Sequence, residues 1–300
     1  MNKRESRFID KSTHRKKEIV KEKLKITKGI PLFSIVEFNI IGSCNRNCSF
    51  CPVSNPKIYT KTKDAISLEL FEKIVKDLQE IHYEGKILFS AFSEPLLHKQ
   101  IEDLIVIAKK YLPNSRLEIV SNGDLLTVKK LQKLYASGLD TINISMYDGP
   151  HQIEYFEQMR KEANVPKDGI VLRRRYFENG NYGITISNRV GLIDSNKYRD
   201  KKEKAIVKFP LKHPCYYPFY MILVDYNGDV LLCPHDWNKT LKFGNLQKEK
   251  LFDIWNGKAL NGIRKRLADS DRNFGACKNC DVLGTLIGKE SFDQWMKVGL

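Results

Sequence analysis

Residues 41–54, IGSCNRNCSFCPVS, place Cys44, Cys48 and Cys51 within eight residues, in a C-x3-C-x2-C arrangement. Thiolates this close together can converge on one soft metal centre. A [4Fe–4S] cube normally takes four cysteines, so three from one loop would leave one iron open to chemistry. Phe50, directly before the last cysteine, can cover such a cluster from solvent. Zinc is the alternative metal, although zinc sites usually come as two C-x2-C halves or as Cys/His pairs.

The cysteine triplet follows a strand-like run, FSIVEFNI, at residues 33–40. An early strand, then C-x3-C-x2-C with an aromatic residue before the third cysteine, resembles the radical S-adenosylmethionine (radical SAM) superfamily. The resemblance implies that SAM binds the open iron of a [4Fe–4S] cluster through its amino and carboxylate groups. It also implies that reductive cleavage of SAM yields methionine and a 5′-deoxyadenosyl radical.

Strand-like and amphipathic segments alternate after the triplet. The pattern predicts helices at residues 67–80, 100–111, 127–136 and 151–163, and strands at residues 86–89, 116–120, 141–146 and 171–176. Such alternation indicates an α/β fold with a parallel sheet and right-handed crossovers. The resemblance implies a partial (β/α)6 radical SAM barrel, open at one side, and about six such units fit between residues 33 and 190.

Polar residues follow several of the predicted strands. In the family a Gly-Gly-Glu-Pro-like segment holds the amino group of SAM, and residues 92–95, FSEP, match it at Glu94 with Ser93 in place of a glycine. Ser121 and Asn122 correspond to the family's segment near the SAM ribose and carboxylate, and Ser145 is expected on the same rim. The alternatives are an acid near a helix dipole for Glu94 and an ordinary Asn-Gly turn for Asn122.

Three arginines lie near the last predicted strands. Arg173 and Arg175 alternate, so their side chains are expected on the same side, and Arg189 lies in a small polar turn. Arginine inside a barrel can clamp the carboxylate of SAM or an anionic substrate. The alternative is an exposed edge strand that carries charge.

A second cysteine set, Cys215, Cys233, Cys277 and Cys280, follows the predicted barrel. Residues 219–233 read as a hairpin that turns at Asn227 and Gly228. The set resembles the twitch (shortened SPASM) extension of radical SAM enzymes, which implies a second, auxiliary [4Fe–4S] cluster with no open iron; zinc held by all four cysteines is the alternative. The seven cysteines divide as three and four, so no spare thiol is left to return a hydrogen atom to a substrate radical.

These features predict three regions and several properties of the whole chain. We expect a basic arm, solvated on most sides, at residues 1–30, the partial barrel at 31–195 and the auxiliary-cluster domain, a β-hairpin plus helix, at 196–300. No apolar run of 18 residues and no secretory signal are present, so we expect a cytoplasmic protein with no membrane partner. The net charge of +15 is explained first by a lysine-rich, solvated surface; the alternative is an anionic partner, such as a phosphorylated or nucleotide-linked small-molecule substrate. No RNA-recognition motif supports a nucleic-acid partner.

The hypothesis for function is a radical SAM oxidoreductase. The radical takes hydrogen from a hydroxyl-bearing carbon of a sugar-, cyclitol- or nucleotide-like metabolite, and the auxiliary cluster accepts the electron, as in single-auxiliary-cluster dehydrogenases of the subgroup. A flavodoxin- or ferredoxin-type reductant is expected, and no general base is assigned. The alternatives are a peptide-modifying maturase, against which the absence of an obvious leader-binding domain weighs, a radical dehydratase or decarboxylase, and a nucleic-acid-binding metalloprotein.

Overall fold

The computed structural model describes residues 11–198 and 207–300, so the first ten residues of the predicted arm and residues 199–206 of the predicted auxiliary-cluster domain lie outside it. The strands are β1 (Ile26–Thr27), β2 (Ile30–Pro31), β3 (Ile35–Asn39), β4 (Lys86–Phe89), β5 (Arg116–Ser121), β6 (Thr141–Met146), β7 (Ile170–Arg174), β8 (Met221–Asp225), β9 (Asp229–Leu231) and β10 (Lys242–Asn245). The α-helices are α1 (Lys11–Glu22), α2 (Leu68–Glu80), α3 (Ile101–Tyr111), α4 (Val128–Ala136), α5 (His151–Glu162), α6 (Tyr217–Tyr220), α7 (Leu251–Trp255), α8 (Lys258–Ala268) and α9 (Lys289–Val298).

An eight-stranded sheet in the order β10-β9-β8-β3-β4-β5-β6-β7 forms the centre of the molecule. Neighbouring strands from β8 to β7 are parallel, whereas β8, β9 and β10 pair antiparallel. Helices α2 to α5 each connect one parallel strand to the next, and every residue of β3, β4 and β6 is buried. Burial on both faces is what a parallel sheet covered by crossover helices requires, and the predicted α/β fold class is confirmed.

Local sequence accounts for where the barrel helices begin. The Ser67 hydroxyl accepts a hydrogen bond from the Leu70 amide at 3.1 Å, and the Thr127 hydroxyl accepts one from the Lys130 amide at 3.1 Å. Each hydroxyl thereby caps a free amide of the first turn, of α2 and α4 respectively. The predicted apolar face of α2 is also confirmed, because Phe71, Ile74, Val75 and Leu78 are buried.

The predicted count of six strand units before residue 190 is wrong. Five parallel strands, β3 to β7, come from that region, and the sixth is β8, from the predicted C-terminal hairpin. Residues 183–191 form turns instead of a strand, with positive φ at Arg189 (50°), Val190 (58°) and Gly191 (90°). The hairpin itself is confirmed, since β8 and β9 pair around Gly228 with φ 87°. The sheet is therefore continuous across the predicted boundary at residue 195.

The predicted basic arm is helical at residues 11–22, and one face of this helix packs against the barrel. Helix α1 buries Ile19 and Val20, and the Ser34 hydroxyl donates to the Val20 carbonyl at 2.9 Å. On the same helix, Arg15 and Lys16 reach the inside of the barrel. Their charges meet buried carboxylates there, so a segment that is basic in sequence packs against the core.

Candidate active site

One cavity of about 350 Å³ lies inside the barrel and opens near the carboxyl ends of its strands; we call it the barrel cavity. Its wall includes the predicted residues Cys44, Cys48, Phe50, Cys51, Ser93, Glu94, Ser121, Asn122, Ser145, Arg173 and Arg189. Parallel strands collect functional groups at this edge, which is why residues far apart in sequence meet here.

The loop that carries the first three cysteines is held by its own main chain and by a lysine. The Cys51 amide donates to the Cys48 carbonyl at 2.9 Å, and Lys61 Nζ donates to the Cys44 carbonyl at 2.8 Å. Arg46, in the same loop, makes ion pairs with Asp124 and Asp148, which follow β5 and β6. The loop is thereby fixed to the rim of the barrel.

The three thiols of this loop are free and share one electrostatic environment. Burial is the main cause that raises the pKa of each thiol, and for Cys48 the nearby Cys51 and Cys44 add to the effect and bring its pKa to about 11. Three adjacent thiols of this kind ionise together only beside a strong positive charge. An iron–sulfur cluster provides that charge, so the three residues fit the predicted cluster.

Glu94 is buried with only neutral donors around its carboxylate. Its Oε1 accepts from the Ser121 hydroxyl at 2.8 Å and from the Leu96 amide at 3.1 Å, and its Oε2 accepts from the Asn122 amide at 2.8 Å. Burial raises the pKa of Glu94 to about 7 in spite of these three bonds. A carboxylate that lacks a cationic partner in this position fits the amino group of SAM.

The turn before Glu94 contains no glycine, unlike the family pattern. Ala91 in this turn has a positive φ of 79°, and the Glu94 amide donates to the Ser43 carbonyl at 3.0 Å. Asn39, at the end of β3, accepts from the Ser93 hydroxyl at 2.8 Å and from the Phe92 amide at 3.2 Å. Asn39 was not predicted as a site residue; its place as a polar residue at the end of a buried strand was the signal.

Asn122 connects the Glu94 side of the cavity to the cysteine loop. Its Nδ2 donates to Asn45 Oδ1 at 2.8 Å and lies 3.9 Å from the Cys44 sulfur. The Gly123 amide donates to the Ser121 hydroxyl at 2.9 Å, which fixes the turn at the end of β5. These predicted neighbours therefore form one hydrogen-bonded group with Glu94.

The three predicted arginines occupy different places. Arg173 Nη2 donates to the Ser145 hydroxyl at 2.7 Å inside the barrel cavity. Arg175 lines a smaller adjoining cavity of about 280 Å³, which Arg173 also reaches, as expected for alternating positions. Arg189 lies over the Trp237 ring at 5.9 Å, and its buried Nε has no hydrogen-bond partner among the residues that the structure describes.

Phe50 belongs to an aromatic cluster beside the first cysteine loop. Its ring stacks on Tyr147 at 6.1 Å and meets the edges of Tyr182 and Tyr198, each at 5.8 Å. The three tyrosines were not predicted, because they come from turns whose position depends on the whole fold. The cluster supports the predicted covering role of Phe50.

The second cysteine set forms another group of adjacent free thiols. Burial and the neighbouring thiols Cys277, Cys280 and Cys215 raise the pKa of the Cys233 thiol well above its usual value. A β-carbon at Gly284 would collide with the Cys215 sulfur, so glycine at this position leaves room for it. Four neighbouring thiols match the four ligands that a fully liganded [4Fe–4S] cluster takes, so these residues fit such a cluster.

Arg272 organises the chain around this second set and was not predicted. Its guanidinium donates to the carbonyls of His213, Pro214 and Val282 at 3.1, 2.8 and 2.7 Å, and also to that of Leu283. These carbonyls lie close in sequence to Cys215 and Cys280. One buried arginine thus ties together the two segments that carry these cysteines.

The barrel cavity is lined by the first cysteine set and by residues next to the second set. Pro234 and His235, directly after Cys233, line that cavity together with Tyr217, and the Tyr217 hydroxyl lies 3.1 Å from His235 Nε2. The turn that carries Arg189 is bound to the last cysteine loop, because Asn188 Nδ2 donates to the Asn279 carbonyl at 2.7 Å. The cavity is therefore bounded by the surroundings of both sets.

Sequence comparisons agree with this geometry. The radical SAM superfamily profile matches residues 38–186, and the iron–sulfur cluster-binding SPASM profile matches residues 215–281. The S-adenosyl-L-methionine-dependent 2-deoxy-scyllo-inosamine dehydrogenase of Niallia circulans is 28% identical over 253 residues, which cover 83% of this chain and 93% of that protein. A GTP 3′,8-cyclase of Chlorobaculum tepidum is 31% identical over 113 residues, 37% of this chain and 32% of that protein.

Solved structures show the same architecture. The crystal structure of BtrN in complex with AdoMet and 2-DOIA superposes with a TM-score of 0.70 at 25% identity, covering 87% of this chain and 98% of that chain. The structure of anSMEcpe with bound AdoMet has a TM-score of 0.52 at 12% identity, covering 89% and 96%, and shares the fold alone. The chain belongs to the radical SAM superfamily and is a radical SAM enzyme that binds S-adenosylmethionine and a [4Fe–4S] cluster, with a SPASM domain for auxiliary iron–sulfur binding.

Proposed function

We propose that the enzyme oxidises a secondary hydroxyl group of a small polar substrate to a ketone. When bound, SAM and the first cluster supply a 5′-deoxyadenosyl radical, and the auxiliary cluster supplies an acceptor for one electron. The substrate carbon loses a hydrogen atom to the radical, its hydroxyl loses a proton, and one electron leaves. The observation that carries this proposal is that the surroundings of both cysteine sets line one cavity.

In this proposal the seven cysteines divide between two clusters. Cys44, Cys48 and Cys51 would hold the cluster that binds SAM, and the second set, Cys215, Cys233, Cys277 and Cys280, would hold the auxiliary cluster. All seven thiols are free of disulfide bonds. With every thiol assigned, none is left to donate a hydrogen atom back to the substrate, so oxidation is favoured over epimerisation.

The polar side chains of the barrel cavity, and Arg175 from the smaller adjoining cavity, are assigned to SAM and to the substrate. Glu94 would accept from the amino group of SAM, with Ser93, Ser121 and Asn122 fixing its position. Ser145, Arg173, Arg175 and Arg189 would bind carboxylate or other oxygen groups of SAM or the substrate, and Phe50 would shield the first cluster.

We propose that the substrate is a cyclitol, aminocyclitol or related sugar-like molecule. The name of the Niallia circulans relative states an aminocyclitol substrate for that protein, and the two chains align over 93% of its length. A cyclitol is neutral and an aminocyclitol is cationic, so the anionic substrate expected from the net charge is not part of this proposal. A flavodoxin- or ferredoxin-type reductant is a further part of it, as is a cytoplasmic location that keeps the thiols reduced. Within the described residues, no helix is both long and apolar enough to cross a membrane.

The oxidation itself is the first test. After anaerobic reconstitution, we expect the enzyme with SAM and a reductant to convert 2-deoxy-scyllo-inosamine or a related cyclitol to a ketone, with equimolar 5′-deoxyadenosine. Deuterium placed on the carbinol carbon should appear in 5′-deoxyadenosine by mass spectrometry. If none of the cyclitols tested gave a ketone, and the 5′-deoxyadenosine carried no deuterium, this function would be excluded.

Removal of Cys277 and Cys280 tests the electron acceptor. The unaltered chain should bind about eight irons, and the double alanine variant about four, because one cube is lost. SAM cleavage should continue without ketone formation in that variant. Replacing Cys44, Cys48 and Cys51 by alanine is the control and should abolish SAM cleavage; full ketone formation by the Cys277/Cys280 variant would contradict the assigned role.

The pKa of Glu94 predicts how SAM binding depends on pH. The folded-state pKa of about 7 lies above the ordinary value, so the carboxylate that binds the amino group is lost as pH falls through 7. The dissociation constant for SAM should rise about tenfold between pH 8 and pH 6, as expected for one competing proton. Glu94→Gln should bind SAM weakly and lack this pH-dependent component; an unchanged pH profile in that variant would refute the assignment.

Arg272 provides a test of how the auxiliary site is held together. Arg272→Met leaves several buried carbonyls without donors, at about 1–3 kcal/mol for each group. We expect this variant to retain about four irons and SAM cleavage but to lose the auxiliary cluster. Arg266→Met, which removes a half-exposed ion pair with Asp271, is the control and should keep about eight irons. Equal iron content in both variants would show that Arg272 does not position this site.

A further inference from the structure

Helix α1 brings two basic side chains into the barrel cavity, and they have different surroundings. Arg15 makes an ion pair with Glu118 and donates to the Thr141 hydroxyl at 3.2 Å. Lys86 and Arg116 also reach the Glu118 carboxylate, at 3.2 and 2.8 Å. These cations lower the pKa of Glu118 to about 2 even though its burial acts in the opposite direction. Arg15 is therefore already paired, together with Lys86 and Arg116, with the Glu118 carboxylate inside the protein.

Lys16, the next residue, has no such network. Its Nζ lies 4.0 Å from the Met221 sulfur and 5.5 Å from the ring centres of Tyr217 and Tyr220. Among the described residues no oxygen atom accepts a hydrogen bond from it. A partly buried lysine whose nitrogen points into a cavity without an oxygen partner has donor capacity left for a ligand.

Glu37 lines the same cavity as Lys16. Glu37 is the third residue of β3 and is buried, and its position two residues before the strand end places it deeper in the barrel than Glu94 and Asn122, which follow their strands. Its carboxyl accepts a hydrogen bond from the Ser90 hydroxyl, and although Lys16 and Glu37 interact electrostatically, within the described part of the chain they form no ion pair. The space between them can therefore hold polar groups of a ligand.

The strongest charges acting on Lys16 are the acids Glu37 on β3 and Glu118 on β5 and the bases Lys86 on β4 and Arg173 on β7. The tyrosines of α6 lie beside its nitrogen, and His235 also interacts with it electrostatically. Burial outweighs the two acids and lowers the pKa of Lys16 to about 8. Lysine in this environment is charged below that pH and donates hydrogen bonds to oxygen.

We propose that Lys16 and Glu37 form a substrate subsite at the floor of the barrel cavity, which binds two neighbouring polar groups of one molecule. Lys16 donates to a hydroxyl oxygen, and Glu37 accepts from an adjacent hydroxyl or ammonium group. This inference rests on the proposed function and narrows it: the substrate carries a vicinal diol or a vicinal amino alcohol. It also makes α1 part of the active site.

The test compares Lys16→Met, Lys16→Arg and the exposed Lys17→Met in the reconstituted holoenzyme. Methionine is similar in length to lysine and apolar, so it fits the partly buried position. For 2-deoxy-scyllo-inosamine, kcat/KM of Lys16→Met should fall roughly 10- to 100-fold, mainly through KM, because one charge-assisted hydrogen bond is lost. Arginine should restore part of this loss, and Lys17→Met should match the unaltered enzyme. Equal kinetics for Lys16→Met and Lys17→Met would overturn the proposal.

A second readout does not depend on turnover. In protein labelled with [ε-13C]lysine, the Lys16 signal, assigned by its loss in Lys16→Arg, should titrate near pH 8. Glu37→Gln removes the acid that raises the pKa of Lys16, so the signal should then titrate at lower pH. Addition of 2-deoxy-scyllo-inosamine with SAM should shift this signal and leave that of Lys17 unchanged.

These measurements separate failure of the subsite from failure of the proposed function. A Lys16 signal that titrates above pH 10, or that does not respond to the aminocyclitol, overturns the subsite. Absence of ketone from the unaltered enzyme, with Lys16 titrating near 8 and responding to the aminocyclitol, refutes the oxidation but supports the subsite.

Discussion

The parallel pairing of β8 with β3 is the constraint on which the rest of the structure depends. Cys215 and Cys233 flank the segment that contains β8, so this pairing brings the second cysteine set to the barrel. Asn39 on β3 is aligned with Asp225 on β8, and its Nδ2 donates to Asp225 Oδ1 at 2.7 Å. The same asparagine accepts from the turn before Glu94, so one residue aligns the auxiliary side and the SAM side of the cavity.

Two buried glutamates inside the barrel show how their partners determine charge. Glu118 is surrounded by cations, and its pKa falls to about 2, whereas Glu94 has three neutral donors, and its pKa rises to about 7. Burial opposes ionisation in both, and only the partners differ. Cationic side chains of the protein balance the charge of the Glu118 carboxylate. The Glu94 carboxylate would instead be stabilised by a cationic or strongly donating group of a ligand. The contrast separates a structural carboxylate from a binding one.

The interior of the barrel combines a rim for cofactors with a deeper polar floor. The rim holds the first cysteine loop, Glu94 and Asn122, and the floor holds Lys16 and Glu37. Tyr217 and His235 extend from the second cysteine set into the same space. A polar molecule bound at the floor would share the cavity with the first cysteine set and with neighbours of the second, as the proposed coupling of hydrogen abstraction to electron removal requires.

The sequence alone determined the features whose causes are local. Cysteine spacing, the alternation of strands and helices and the turn at Gly228 each depend on a few neighbouring residues, and all are found in the structure. The cysteine spacing, together with the strand before it and the Glu-Pro and Ser-Asn segments after it, pointed to the family.

Only the tertiary structure decided which edge of the sheet accepts β8, how α1 packs, and where Asn39 and Arg272 make their bonds. Strand pairing between residues about 180 positions apart leaves no local signal, since an apolar strand fits any buried edge equally well by composition. A helix rich in lysine likewise has the pattern of a solvated surface until the fold places Glu118 and Glu37 opposite it. Long-range partners, rather than the residues themselves, determine the role of these side chains.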